Sequence, residues 1–146
     1  ELCGKETDSQ IAKIQQSLDD EIRSELFALQ HRQLKIRSCF NDIRLAALQN
    51  LTARYPEPEN LNELDALLLN SYTEKVKKLR EIALKFQPIE KLSIQKLSSE
   101  ELPKQLQKFE IILSEFKSEA CQLKFGGLIS EAQTECLEGD CEIISP

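Results

Sequence analysis

The residue types that could do chemistry in this chain are few. They are five cysteines, Cys3, Cys39, Cys121, Cys136 and Cys141, a single histidine, His31, and the tripeptide Asn50-Leu51-Thr52. In an oxidising compartment the cysteines form two bridges and leave one thiol over. Cys39 stands beside Phe40 near one apolar helical stripe, and Cys121 stands between Ala120 and Leu123 near another, so a Cys39–Cys121 bridge would staple two distant helices. Cys39 satisfies the pattern equally well with Cys136 or Cys141, which would fold the C-terminal segment onto the middle of the first helix. Cys3 precedes the first helix and can reach the end of a bundle, where a cysteine near the C-terminus would hold it. The thiol left over is either buried or joins two chains in a disulfide-linked dimer. The competing reading is five reduced thiols in a cytosolic protein. Asn50 is the acceptor of an N-glycosylation sequon, although it falls inside a predicted helix.

Catalysis finds little support. Nucleophilic attack by serine or cysteine usually needs a base, and His31, within His31-Arg32-Gln33-Leu34-Lys35, reads as an exposed helix residue. It stands eight residues from Cys39, whereas structural zinc sites want closely paired ligands, so no metal is expected. Gly4, Gly126, Gly127 and Gly139 build neither a phosphate-cradling loop nor a dinucleotide fingerprint. The carboxylates of Asp19-Asp20-Glu21 and Glu100-Glu101 are sequence neighbours, which on a helix do not face each other, and they lack the spacing of a calcium loop. No catalytic residue and no cofactor are expected.

Composition sets the class. A chain of 146 residues, 40% hydrophobic and 30% charged, fits one domain spanning residues 1–146 and carries no apolar run long enough to span a membrane. A net charge of −6 argues against nucleic acid as a partner. The absence of methionine and of an apolar leader before Glu1 matches a secreted, extracellular protein after signal-peptide removal, and equally a trimmed cytosolic one.

The elements that must position these residues are helices. From Asp8 to Tyr55 the residues Ile11, Ile14, Leu18, Ile22, Leu26, Leu29, Ile36, Phe40, Ile43, Ala47, Leu48 and Leu51 recur at steps of three and four, with a kink or break foreseen at Gln30–Gln33. Tyr55-Pro56-Glu57-Pro58 ends that helix. A second is expected over about Glu59–Phe86, capped by Asn60 and Glu63, with Leu61, Leu64, Leu68, Tyr72, Val76, Leu79, Ala83 and Phe86 inward and its charges solvated. Ile89, Leu92 and Ile94 make the next connection one that packs on the core. A third helix, opened by Ser98 and Glu101, runs to about Phe125 through Leu102, Leu106, Phe109, Leu113, Phe116, Ala120 and Leu123, and Gly126-Gly127 stops it. A short fourth helix over Leu128–Leu137 and an acidic tail over residues 138–146 complete the chain. The expected fold is an all-α antiparallel bundle of three long helices plus a short C-terminal helix, disulfide-stapled, without strands.

Charge is uneven along this plan: residues 1–22 sum to −4, residues 23–54 to +4 and residues 128–146 to −5. Either the acidic tail lies on Arg32, Lys35, Arg37 and Arg44, or that band is a docking face for an acidic partner. The functional expectation is a secreted, non-enzymatic module that binds an extracellular protein as an inhibitor, ligand or antigen, the class that includes salivary and parasite secretions acting on host proteins. The alternatives are a carrier of an apolar small molecule or lipid and an intracellular helical scaffold.

Overall fold

A computed structural model of the chain describes residues 2–93, 95 and 97–141, with side chains from Thr7 onward. It is all-helical; no strand occurs among the described residues. The first helix, α1, covers Leu2–Arg54 without interruption, 53 residues, which at about 1.5 Å per residue is roughly 80 Å. The break foreseen at Gln30–Gln33 does not occur, because those polar side chains work outward from an intact helix. Gln30 Nε2 donates to the carbonyls of Ile89 (3.2 Å) and Leu92 (3.0 Å), and Gln33 Nε2 donates to Glu90 (2.7 Å).

The second helix, α2, is Glu63–Leu84, shorter at both ends than its apolar pattern suggests. Its cap is Asn62, whose side chain accepts from the backbone N–H of Asp65 (2.8 Å), rather than Asn60, which ends a 3-10 turn over Pro58–Asn60. Leu64 and Leu68 precede the packed stretch and are exposed, whereas Val76, Leu79 and Ile82 are buried. A single turn, α3 (Gln87–Glu90), buries Ile89 and begins the packed connection; Ile94 lies outside the described residues.

Helix α4 covers Glu101–Phe125, and Ser98 Oγ accepts from the Glu101 backbone N–H (3.1 Å) as its opening suggests. Its far end is a Schellman motif. Gly127 takes φ +78°, its N–H donates to Lys124 (3.0 Å), the Leu128 N–H donates to Leu123 (3.0 Å), and Leu123 and Leu128 are both fully buried. Arg54 adds its guanidinium to the carbonyls of Gly126 and Gly127, a cation placed at the negative end of the helix.

The expected fourth helix is instead a 3-10 segment, Ala132–Leu137, with Thr134 and Leu137 buried. One core joins α1, α2, α4 and this segment; Phe86, Phe109 and Phe116 stand at its centre, and Phe40 meets Phe116 edge-on with centroids 6.3 Å apart. Two cysteine pairs lie at disulfide distance, Cys39–Cys136 and Cys121–Cys141, with Cα separations of 5.6 and 5.5 Å. The bridge between Cys39 and Cys121 is therefore excluded, and Cys39 takes the C-terminal alternative. Both C-terminal cysteines are engaged, so neither holds Cys3, whose side chain lies outside the described residues.

Candidate functional site

The residues of the basic band fall into three surroundings. Arg32 is turned inward on its surroundings: Nη1 meets Glu110 at 2.8 Å, Nε meets Glu138 at 3.0 Å, and the guanidinium lies 4.7 Å over the Phe109 ring. The hydrogen bond it donates to Glu138 is the main reason its pKa stands above the ordinary arginine value, with burial pulling the other way. Glu138 reaches this position from a left-handed backbone (φ +59°), and Lys117 Nζ donates to its carbonyl (3.3 Å). So Glu138, the first residue of the acidic C-terminal stretch, lies against Arg32 of α1, between the cysteines Cys136 and Cys141, and no described residue of that stretch pairs with Lys35, Arg37 or Arg44. Residues 142–146 lie outside the described residues.

Arg37 and Arg44 go elsewhere. They stand seven residues apart, two turns of α1, on the side that faces α2, and with Arg80 they line a groove of about 260 Å³. Ile36, Phe40 and Phe86 form its apolar floor, with Ala83 and Leu84 along one side. The two ends differ in charge. Glu90 pairs with Arg37 at 3.2 Å, whereas among the described residues no carboxylate lies within ion-pair distance of Arg44 or Arg80. Gln33 also lines the groove, is buried, and has no donor to its Oε1 among the described residues. Lys35 is exposed on another side of α1.

Asn50 is tied down: its Nδ2, the nitrogen to which a glycan would attach, donates to the Leu128 carbonyl, and Thr52 Oγ1 donates to Leu48 (2.9 Å). His31 is exposed and stacks on the Phe27 ring four residues before it, with 3° between the planes. Among the described residues no group of three or more His, Cys, Asp or Glu could hold a metal ion, and no helix is long and apolar enough to cross a membrane.

The feature missed in the sequence is the exposed end of α1. Residues 7–21 are exposed throughout, yet Ile11, Ile14 and Leu18 continue the face that buries Leu29, Ile36, Ile43 and Ala47 further along. Ile22 is the transition, packed against Leu26, Leu97 and Leu102. Beside it, a notch of about 290 Å³ between α1 and α4 is lined by Glu25, Leu29, Arg32, Leu102 and Leu106. The periodicity is visible in the sequence; that no other described helix reaches it is not. Compared with protein-family models, curated proteins and solved structures, the chain matches none of them.

Proposed function

We propose that this protein is an extracellular, non-catalytic recognition module that receives an amphipathic helix of a partner protein along the projecting end of α1. The observation that carries this reading is the uncovered continuation of the core stripe, with Ile11, Ile14 and Leu18 exposed at 47%, 60% and 48%. The stripe leads without a gap through Ile22 to the notch at Leu102 and Leu106. Apolar helix faces of this kind are read by partner helices through anchors at three- and four-residue steps. At about 100° per residue, Asp8, Asp19 and Glu21 flank the stripe while Lys13 and Asp20 fall on the far side. A partner helix with basic flanks complements that arrangement, and a second copy of this chain would bring acid against acid.

The scaffold in this reading is a three-helix bundle in which α2 runs against α1 and α4, the order that brings Lys78 to Glu119 (2.8 Å) and Lys85 to Glu115 (3.0 Å). The two cysteine pairs at bonding distance support an oxidising compartment. Intact mass with and without reduction, on protein secreted from eukaryotic cells, checks the compartment: two bridges are expected, and five free thiols would place the protein inside the cell. Function is tested by probing an array of extracellular proteins with the wild type and with an Ile11→Ser/Ile14→Ser/Leu18→Ser variant. Signals given by the wild type and lost by a variant of unchanged thermal stability are expected. Equal signals from both, or dimerisation of the wild type through these residues in sedimentation, would overturn the partner-helix reading.

A further inference from the structure

The groove between α1 and α2 is separate from the projecting end of α1, and its chemistry is different. Its open end presents two guanidinium groups, Arg44 and Arg80, that no carboxylate among the described residues neutralises, and its other end is closed by the Arg37–Glu90 pair (3.2 Å). Between them lies an apolar surface of Ile36, Phe40, Phe86 and Leu84. We infer that this groove is a binding site for a small organic anion with a flat or short apolar body, such as an aromatic carboxylate. The anionic group sits between Arg44 and Arg80, where it can accept hydrogen bonds from two planar donors in bidentate fashion. The apolar body lies over Phe40 toward Leu84.

Size and charge favour this class of ligand. A cavity of about 150 Å³ already accepts benzene, so 260 Å³ admits a one- or two-ring acid but not a long lipid chain. Three arginines set against one glutamate leave the groove with a surplus of positive charge in a protein whose net charge is −6. A purely apolar ligand would leave those guanidinium groups unmatched, and an inorganic anion would leave the apolar floor unused. An acidic side chain of a macromolecule could present the same carboxylate, but the limited groove between two helices favours a free molecule.

The test uses 1-naphthoate as the probe, titrated into the full chain and followed by proton–nitrogen NMR. Saturable shifts are expected at the side-chain Nε–H groups of Arg44 and Arg80 and at the amides of Phe40, Ala83 and Leu84. An Arg44→Gln/Arg80→Gln variant, whose exposed positions leave the core untouched, should bind at least about tenfold more weakly, since it loses two charge-assisted contacts. Naphthalene-1-methanol, which keeps the rings and lacks the charge, should be similarly weakened. The inference fails if naphthoate gives no saturable shifts at millimolar concentration, if the double variant binds it equally well, or if sulfate alone displaces it at equal concentration.

Discussion

The two halves of α1 are one continuous helix with one apolar face, and they end in opposite environments. From Leu26 to Leu51 that face is buried under α2, α4 and the C-terminal segment, while from Thr7 to Glu21 the same face stands in solvent. The difference is not in the helix. At about 1.5 Å per residue, the 22 residues of α2 and 25 of α4 reach only roughly 33 and 38 Å, so a helix of 53 residues must outrun them. An apolar stripe is a capacity for burial, and neighbouring elements decide where it is used.

That contrast can be broken most forcefully through the bridges. Cys39–Cys136 closes a loop of 97 residues onto the buried half of α1, so a Cys39→Ala/Cys136→Ala variant should lose roughly 5 kcal/mol, against about 3 kcal/mol for Cys121→Ala/Cys141→Ala with its separation of 20. Urea unfolding of the two variants gives the comparison, and equal losses would show that the unfolded chain does not set the difference.

Single side chains sharpen it further. Phe116→Ala, at the fully buried centre, should cost about 3 to 5 kcal/mol, whereas Ile14→Ala on the projecting half should stay within about 0.5 kcal/mol. A comparable loss from Ile14→Ala would mean that the projecting face is covered in the free protein.

A smaller effect separates the basic residues. Arg32→Ala removes a paired guanidinium that is one-third exposed and stacked on Phe109, and should cost about 1 kcal/mol, with Lys35→Ala near zero. Thermal melts at low and high salt should show the Arg32 difference shrinking as salt screens it.

The smallest change expected is at Gln33. Its buried Oε1 lacks a donor among the described residues while its Nε2 holds Glu90, so Gln33→Leu trades one hydrogen bond for the removal of an unmatched acceptor. The expected stability change is within about 1 kcal/mol of zero; a larger loss would show that the Glu90 contact organises the groove.

Much of this architecture was legible in the sequence because helix signals are local. Tyr55-Pro56, Ser98 with Glu101, and Gly126-Gly127 mark helix limits within a residue or two, since each acts on backbone groups next to it. Where two local signals compete, spacing alone misleads: Asn60 is followed by Glu63 as a cap should be, yet Pro58 draws Asn60 into a 3-10 turn and leaves Asn62 to cap α2. The polar run Gln30–Gln33 looked like a weakness in α1 and is instead its attachment to α3, which a one-dimensional pattern cannot distinguish. Of the four basic residues singled out on α1, Arg32 is engaged internally and Arg37 and Arg44 share a groove with the exposed Arg80 of α2, a grouping that no spacing along the chain reveals.

The sequence by itself determined that the chain is helical, where its helices stop and which face of each is apolar, because these follow from side-chain period and from backbone groups a few residues apart. Only the tertiary structure decided that Cys39 meets Cys136, that Arg32 is neutralised by Glu138 while no described carboxylate pairs with Arg44 or Arg80, and that the α1 stripe from Ile11 to Leu18 remains exposed among the described residues. Each of those outcomes is a distance between residues far apart in the chain, and such distances are set by relative helix lengths and packing rather than by any local preference.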